Sequence, residues 1–343
     1  MMKTICGIIL AAMSAMLLSA CSGAASGSTG KADAIDGRYQ SSELRELLEK
    51  TRAEGTLLGH QDDLAYGSVW YGEQGRSDVK DVCGDYPAVF GWDISGIERG
   101  TGYTDDSVSV ASVRKYIAEV AAMGGVSSVR WKACGAVDGE SRDAALDSVA
   151  SFLSGLRDSR GGVVPVIFQP VFDCDGADAS MIRPLWRMAR SRIANKAKNV
   201  LYVYSVSNPD SVADFERQYP GDNYVDIVGL EMLSDADDVT GYKADFNQGV
   251  DALCKFAEKH GKIPAVTAAG IKGVKSPDFF TSCIAPAISG RQIGYIMFWR
   301  NSWKDEGYCF VPVKGHPAAD DFCKFVKSDK VVMCSELSAK NNS

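Results

Sequence analysis

Short apolar runs alternate with longer amphipathic runs along this chain, and after residue 40 the alternation repeats eight times. The short runs have the length and the β-branched content of strands that are covered on both faces. Strands that alternate strictly with helices pair in parallel, and eight such units in roughly 250 to 300 residues are enough to close a barrel. The pattern therefore predicts an α/β fold, a single (β/α)₈ TIM barrel, with a doubly wound open sheet as the alternative.

The expected elements follow one another in strict order. Strands are expected at 55–61, 88–95, 126–133, 163–171, 199–206, 225–232, 264–270 and 294–301. Helices are expected at 42–54, 109–123, 142–156, 179–196, 211–218, 246–260, 279–287 and 318–326. No glycine-rich phosphate loop opens any of these helices, so the sequence disfavours nucleotides and we expect no cofactor.

The first 36 residues differ in composition from the rest. Lys3 is followed by an apolar run at 5–18 and by a Leu-Ser-Ala-Cys segment ending at Cys21, which resembles a bacterial lipoprotein signal. We expect a signal peptide at 1–20, a flexible tether at 21–36, the barrel at 37–332 and a C-terminal tail at 333–343. No later run reaches the roughly 18 apolar residues of a membrane span. The expected protein is thus an exported lipoprotein, anchored only through Cys21, on the periplasmic or cell-surface side of the outer membrane.

Charge and cysteine content argue against several kinds of site. The net charge is −7 and Lys and Arg form no long cluster, which disfavours nucleic acid because phosphate binding needs concentrated positive charge. Eight cysteines follow Cys21 without a CxxC pair, and the three histidines lie far apart, so we expect no metal site. Disulfides remain open in an exported protein, and the sequence does not choose among the pairings.

Residues suited to chemistry follow the expected strands. Asp173 and Asp175 come directly after the apolar run at 163–171, at the end where barrels place their ligand sites. Both acids could instead cap a helix or shape a turn. Other candidates at strand ends are His60, Trp92, Asp93, Trp131, Lys132, Phe172, Glu231, Trp299 and Asn301.

Aromatic rings and carboxylates that meet on one rim are typical of a carbohydrate site. Sugar C–H faces stack on aromatic rings, and sugar hydroxyls need fixed hydrogen-bond partners. Each candidate also has a structural interpretation, because a tryptophan at a strand end can pack in the barrel and His60 can be a satisfied, half-buried histidine. Agreement across several strands favours the carbohydrate interpretation.

Several segments of the chain resemble one family of enzymes. They read GHQDDLAYG at 59–67, FGWD at 90–93, YPGDNYVDIVG at 219–229 and FWRN at 298–301. In these segments the chain resembles glycoside hydrolase family 26, whose best-known members are endo-β-1,4-mannanases on a (β/α)₈ barrel. The resemblance spans about 44–326, and it implies a β-mannan or a related polysaccharide as the partner.

The resemblance changes at the catalytic positions. The family's fourth strand usually ends in R-P-x-H-E-M-N-G, whose glutamate is the acid/base, whereas this chain reads QPVFDCDG at 169–176. Asp173 thus takes the glutamate position, and Phe172 takes the histidine position before it. The family's nucleophile lies in T-E-x-G, and this chain has TAAG at 267–270, which leaves Ala268 at the nucleophile position. The family's usual Trp-His on the third strand is Trp131-Lys132 here.

These substitutions imply a defective mechanism. A retaining glycosidase needs two carboxyl groups about 5 to 5.5 Å apart, and Ala268 supplies none. Asp173 is one methylene shorter than glutamate, and a displacement of about 1 Å can cost on the order of a hundredfold in rate. We therefore expect a catalytically degenerate, glycan-binding lipoprotein.

Two other functions stay open. The first is an active glycoside hydrolase that uses Asp173 with a non-standard second carboxylate, from Asp93, Asp175 or Glu231, including an inverting pair about 6.5 to 9.5 Å apart. The second is a purely structural or protein-interaction barrel. Other glycan-uptake proteins are further candidate partners.

Overall fold

Eight parallel strands close into a barrel in the computed structural model, which describes residues 37–133, 139–172 and 179–341. The barrel strands are β1 (Thr56–Gln61), β4 (Val89–Asp93), β5 (Val126–Lys132), β6 (Val166–Val171), β7 (Val200–Ser207), β8 (Ile227–Ser234), β9 (Ile263–Ile271) and β10 (Tyr295–Phe298). Each pairs with the next, and β10 pairs back with β1, where Leu57 lies opposite Tyr295. The predicted barrel is confirmed, and the open-sheet alternative is wrong.

One helix precedes β1, and the other main helices follow the barrel strands. They are α1 (Gly37–Arg52), α3 (Val110–Met123), α4 (Gly139–Ser154), α5 (Ala179–Lys196), α6 (Val212–Gln218), α7 (Val239–His260), α8 (Ala285–Ile288) and α9 (Ala319–Val326). Helix α7 begins earlier than the expected 246, because Asp238 caps it by accepting a hydrogen bond from the backbone N–H of Gly241. A turn of π-helix, Phe280–Ile284, precedes α8. No helix in the described ranges is long and apolar enough to cross a membrane.

Five short elements were not predicted. They are the hairpin β2 (Tyr66–Gly67) and β3 (Trp70–Tyr71), helix α2 (Asp78–Cys83), strand β11 (Val331–Val332) and helix α10 (Cys334–Asn341). The hairpin and α2 lie between β1 and β4, so the segment after the first barrel strand is longer and more structured than the alternating pattern indicates. The hairpin contributes to the rim described below.

A packed helix, α10, lies within the expected C-terminal tail at 333–343. Leu337 of α10 is fully buried, and it belongs to the same apolar cluster as Leu44 and Leu48 of α1. The same cluster contains the first interior residues of the barrel strands, such as Leu57 and Val126. Helices α1 and α10 therefore close the amino-terminal end of the barrel.

Apolar side chains form two layers, one inside the barrel and one between the strands and the helices. The inner layer takes residues from every barrel strand, including Val89 and Ile167, and the outer layer contains Trp92 and Trp131. Successive residues of a strand point to opposite faces. Asp93 and Arg130, each next to one of these tryptophans, therefore point into the barrel near the carboxyl ends of the strands.

The expected signal peptide at 1–20, the tether at 21–36 and Cys21 lie outside the described residues. Asp173 and Asp175 also lie outside them. The six cysteines that the structure describes are free thiols: Cys83, Cys254, Cys283, Cys309, Cys323 and Cys334. Cys83 of α2 and Cys323 of α9 bring their sulfur atoms to 3.8 Å from each other.

Candidate functional site

The carboxyl ends of β4, β5 and β8 bring two acids and one arginine together. Arg130 Nη1 lies 3.6 Å from Asp93 Oδ2, and Arg130 Nε lies 3.6 Å from Glu231 Oε1. All three side chains are largely buried, so water screens these ion pairs less than it would on an open surface. A single guanidinium group thus joins the two acids across the mouth of the barrel.

Glu231 has a hydrogen-bond donor on each oxygen. Gln169 Nε2, from β6, donates to Oε1 over 2.5 Å, and Ser207 Oγ, from β7, donates to Oε2 over 3.3 Å. Donors from two neighbouring strands fix the orientation of this carboxylate. A fixed carboxylate on the rim is suited to accept hydrogen bonds from the hydroxyl groups of a ligand.

Ala268 lies beside Glu231 in the sheet. Strand β8 pairs Leu230 with Val266 and then Glu231 with Ala268, so Thr267 is the extra residue of a β-bulge. The Thr267 hydroxyl donates to the carbonyl oxygen of Leu230 over 3.1 Å. Bulges re-aim side chains and occur often next to active sites. Here the bulge places a methyl group, only 1% exposed, directly across from Glu231.

Trp299 follows β10 and is half-buried at the same rim. The Arg130 guanidinium lies 5.7 Å from the centre of its ring, and the Arg300 guanidinium lies 4.7 Å from it. Both distances suit cation–π contacts. Trp299 therefore joins the cluster of Asp93, Arg130 and Glu231 and offers it a partly accessible aromatic face.

A cavity of 220 Å³ opens beside this cluster, at the tips of β6, β7 and β8. Its wall includes Gln169, Ser207 and Glu231 at the strand tips, the half-buried Phe172, and residues of helices α5 and α6 such as Trp186, Asp214 and Arg217. Polar groups that fix orientation, opposite apolar and aromatic walls, are what small-molecule sites commonly contain. The cavity extends from Glu231 outward, between the strand tips and helices α5 and α6.

Trp92 and Trp131 do not line this rim, which corrects their prediction as substrate-binding residues. Each ring is only 1% exposed. Trp92 donates to Ser127 Oγ over 3.2 Å, and Trp131 donates to Glu98 Oε2 over 3.1 Å. Both rings pack in the layer between strands and helices because they point away from the barrel interior. An enclosed ring has no free face on which a glycan can stack. Both tryptophans therefore contribute to the packing between strands and helices.

His60 and Asn301 were predicted to contact a substrate, but both side chains are also enclosed. The His60 Nδ1 atom lies 2.5 Å from Asp63 Oδ1, and both side chains are fully buried. The Asn301 amide donates to Asp78 over 2.8 Å and accepts from the backbone N–H groups of 310 and 311. The contact with Asp78 ties the segment after β10 to the first residue of α2.

Lys132 and Phe172 stay at the rim. Lys132 is the last residue of β5 and is exposed, and its backbone N–H donates to Ser95 Oγ over 2.8 Å. Phe172 follows β6, is half-buried and meets the Trp131 ring edge-on at 6.3 Å between centroids. Both positions are compatible with a ligand in the cleft.

A second polar network next to Trp299 was missed as a site. Asp62 adopts a left-handed backbone conformation with φ 58°, which is strained for a residue other than glycine. Tyr66 donates to Asp62 over 2.9 Å, and Arg300 donates to Tyr66 over 2.8 Å and also contacts Asp106. Burial raises the pKa of Asp62 to about 6, although the positive charge of Arg300 opposes the shift. Strain and a displaced pKa are both common at functional sites.

Arg130 and Gln169 were also missed, although the sequence contains a signal for both. Side chains two residues apart on a strand point to the same face. Ser128, Arg130 and Lys132 therefore share one face of β5. Gln169 likewise shares a face of its strand with a residue inside the barrel, two positions before it. Among the described residues, no group of three or more His, Cys, Asp or Glu side chains could hold a metal ion.

Comparison with known proteins identifies a family of glycosidases. A family model described as glycosyl hydrolase family 26 matches residues 132–285. A solved GH26 β-mannanase from Bacteroides ovatus is 31% identical, with a TM-score of 0.81, covering 87% of this chain and 96% of that chain. An endo-β-1,4-mannanase catalytic domain from a Bacillus species is 25% identical, with a TM-score of 0.77, covering 89% and 95%.

Curated relatives are longer than this chain. The mannan endo-1,4-β-mannosidase of Bifidobacterium adolescentis is 26% identical over 372 aligned positions, which cover 91% of this chain and 36% of that protein. The enzyme of the same name from Bacillus subtilis is 24% identical over 206 positions, covering 48% and 55%. The chain thus spans about a third and about half of the two relatives.

Proposed function

The chain belongs to glycoside hydrolase family 26, and on this premise we propose that it binds β-mannan or a related polysaccharide at the barrel rim without hydrolysing it. The observation that carries the proposal is the pair formed by Glu231 and Ala268. The resemblance assigns the nucleophile to position 268, and a retaining glycosidase needs a carboxyl group there. The methyl group of Ala268 lies directly across from Glu231 and can form no covalent sugar intermediate.

The contacts of Arg130 argue against an inverting pair made of Asp93 and Glu231. An inverting glycosidase holds a water molecule between two carboxyl groups about 6.5 to 9.5 Å apart. The Arg130 guanidinium contacts both Asp93 and Glu231 at 3.6 Å. It therefore occupies part of the space that such a water would need, and it ties both acids into ion pairs. This arrangement supports a binding role for the two acids.

The rim retains what a glycan ligand requires. Trp299 offers a partly exposed ring, and Glu231 offers fixed acceptor oxygens next to the cavity at the tips of β6, β7 and β8. The related proteins of known name are mannanases, which favours a β-mannan-type chain as the ligand. Loss of the nucleophile leaves such contacts in place, because binding and covalent chemistry use different groups.

A pull-down on insoluble mannan tests the proposal, and Glu231→Gln is the variant to compare. The amide keeps the size of the side chain but loses the charge and one acceptor, so the retained fraction of protein should fall about tenfold or more. Glu258→Gln serves as the matched control, because Glu258 is exposed on α7 near the opposite end of the barrel. Equal retention of wild type and Glu231→Gln would contradict a binding role for Glu231, and no retention of wild type would contradict the proposed function.

We also propose that the mature protein is tethered to a membrane through a lipid on Cys21, with other glycan-uptake proteins as neighbours. The Leu-Ser-Ala-Cys segment and the small residues after it support this proposal. Cys21→Ser should move the protein from the membrane fraction to the soluble fraction. An unchanged membrane fraction would contradict it.

A further inference from the structure

Two cysteines from distant parts of the chain meet between helices α2 and α9. Cys83 is the last residue of α2, Cys323 lies inside α9, and 240 positions separate them. Their sulfur atoms lie 3.8 Å apart, and Cys323 Sγ also lies 3.2 Å from the carbonyl oxygen of Val82. Both side chains are half-buried. The fold thus brings two thiols into contact that the sequence gives no reason to pair.

The distance between the two sulfur atoms suits a pair of thiols that can be oxidised to a disulfide. A disulfide holds its sulfur atoms about 2.0 Å apart, so the remaining gap is about 1.8 Å. Rotation of the side chains between staggered torsions moves sulfur atoms over distances of this kind while the helices stay in place. Among the six cysteines in the described ranges, no other two have sulfur atoms in contact.

Helix α2 holds segments that lie around the mouth of the barrel. Asp78, its first residue, is buried and accepts hydrogen bonds over 2.7 Å from the Ser68 backbone N–H and from the Trp70 indole. It also accepts one from the Asn301 amide over 2.8 Å. A helix of only six residues is stable mainly through its packing. A covalent bond at Cys83, the opposite end of α2, would fix the helix that carries these contacts.

Helix α9 is a firmly packed partner for such a bond. Phe322 and Phe325 of α9 are buried. Asp321 accepts hydrogen bonds from the backbone N–H groups of Phe280 over 2.8 Å and of Thr281 over 3.1 Å. Helix α9 is therefore fixed against the π-helical turn, and a link to it would transfer that support to α2.

The surroundings of Cys83 determine when the pair can react. Burial raises the pKa of the Cys83 thiol well above its usual range, and the neighbouring Cys323 adds to the shift. The thiolate is the form that attacks a disulfide, so a thiol kept protonated reacts slowly. Oxidation should therefore be fastest before α2 and α9 pack together, and the packed helices should then protect the bond from reductants.

We propose that Cys83 and Cys323 are a disulfide pair, which closes by exchange with the disulfide of a thiol oxidant. The Cys83 thiolate attacks this disulfide and displaces one of its sulfur atoms, which leaves as a thiolate and takes up a proton. The Cys323 thiolate then attacks the Cys83 sulfur and displaces the second sulfur of the oxidant in the same way. The two cysteines are oxidised to one disulfide, and the oxidant is reduced to two thiols.

The bond would close a loop of 240 residues. Closing a long loop restricts the unfolded chain, which stabilises the folded state. Oxidising disulfides are what exported proteins meet, so the pair agrees with the proposed export of this chain. The inference does not depend on glycan binding.

Peptide mapping of the full-length wild-type protein tests the pairing. Reduced protein is incubated with oxidised glutathione at about pH 8.5, where more thiolate is present, and a parallel sample is refolded from urea in the same buffer. Free thiols are then alkylated in denaturant before digestion with trypsin. The tryptic peptides 81–99 and 315–324 each contain one cysteine, so a linked pair of these peptides identifies the bond. We expect the linked pair to account for most of both peptides.

Thermal unfolding separates a covalent link from simple packing of two side chains. Dithiothreitol should lower the unfolding temperature of the oxidised wild type by about 5 °C or more. Cys83→Ala, Cys323→Ala and the double variant should each lose this same amount and should not respond to dithiothreitol, because removal of either thiol removes the whole bond. Cys254→Ala is the matched control, since Cys254 is another half-buried thiol, on α7, and this variant should behave like the wild type.

Two results would overturn the proposal. One is recovery of both peptides only in alkylated or glutathione-bound form, from the native and from the refolded sample. The other is a pair of single variants whose losses add in the double variant, together with a wild type that dithiothreitol does not affect. The mapping uses the wild type alone, so the pairing is tested even if a variant does not fold.

Discussion

Trp92 on β4 and Trp299 after β10 both lie near the carboxyl ends of barrel strands but are enclosed to different extents. Trp92 is stacked against Tyr116 at 5.5 Å and against Phe90 at 6.3 Å, whereas Trp299 is half-buried at the mouth of the barrel. We expect Trp92→Ala to lower the free energy of unfolding by about 3–5 kcal/mol, as large-to-small changes in a core do. Trp299→Ala should change it by less than about 1 kcal/mol and weaken mannan binding instead.

Urea unfolding and mannan affinity, measured on both variants, check this contrast. If Trp92→Ala unfolds at the same urea concentration as wild type, the core role of Trp92 is contradicted. If Trp299→Ala keeps full affinity, the binding role of Trp299 is contradicted.

The free energy of unfolding should depend on pH through Asp62, and the direction of the change can be stated. Burial raises its pKa to about 6 in the folded state, above the ordinary value of 3.8. The folded state therefore holds more protons than the unfolded state between about pH 4 and pH 6, and stability from this group is lost as the pH rises through about 6. The free energy of unfolding of wild type minus that of Asp62→Asn should therefore fall from pH 4 to pH 7, because only the wild type has a carboxyl group that must ionise in the folded state. Asparagine tolerates the left-handed backbone, so the fold should persist.

Urea unfolding of both proteins at pH 4.5, 5.5 and 7 measures that difference. A constant difference across the three pH values would mean that Asp62 has the same pKa in both states.

Restoring a glutamate at position 268 tests how much of the catalytic site remains. The double variant with Asp173→Glu and Ala268→Glu would restore both carboxylates of a retaining glycosidase, and weak hydrolysis of mannan oligosaccharides should appear where wild type has none. Recovery should be small, because Phe172 and Lys132 stand where the family has histidines, so the surrounding groups are not arranged for catalysis. Product analysis over days is the measurement. A folded, mannan-binding but inert double variant would mean that the cleft has diverged beyond these two positions.

Strand periodicity explains which site residues could be predicted from the sequence. Asp93 and Glu231 were predicted because acids at the ends of apolar runs stand out, and the structure brings both into contact with Arg130. Trp131 was misassigned although the alternation along β5 places it on the face opposite to Arg130. The bulge at Thr267 and the contact of Arg130 with acids from two other strands could not be predicted, because they depend on how the barrel closes.

Helix α10 should contribute to the free energy of unfolding of the whole barrel. Leu337 is fully buried against the cluster that contains Leu44 and Leu48 of α1. Leu337→Ala should lower the free energy of unfolding by about 2–5 kcal/mol because it leaves a cavity at the amino-terminal end of the barrel. Glu336→Gln, at an exposed neighbouring position, is the control and should change it by less than about 0.5 kcal/mol. Equal stability of both variants in urea would show that α10 does not support the barrel.

At the scale of the whole molecule, the eightfold alternation was enough to predict the barrel. Each expected barrel strand occurs within three residues of its expected bounds. The closure of the amino-terminal end by α1 and α10 was not predicted, because eight residues with one buried leucine give no periodic signal. The hairpin β2–β3 was missed for a similar reason, since its strands are two residues long and are held by contacts with the segment after β10.

The proposed function is that of a family 26 barrel that holds a glycan chain along its rim and leaves it intact. In this proposal Trp299 and the fixed oxygens of Glu231 supply the contacts, and the methyl group of Ala268 takes the place of the carboxylate that the covalent step requires. Cleavage would need carboxylates at two positions, 173 and 268, whereas binding uses side chains that do not take part in the covalent step.

Titration of wild-type protein with mannohexaose, followed by product analysis of the same sample after several days, tests this account most directly. The account predicts measurable heat of binding and recovery of the hexaose intact. Release of shorter mannose oligosaccharides at a rate that Glu231→Gln abolishes would show that another carboxylate has taken over catalysis, and absence of binding would contradict the glycan site itself.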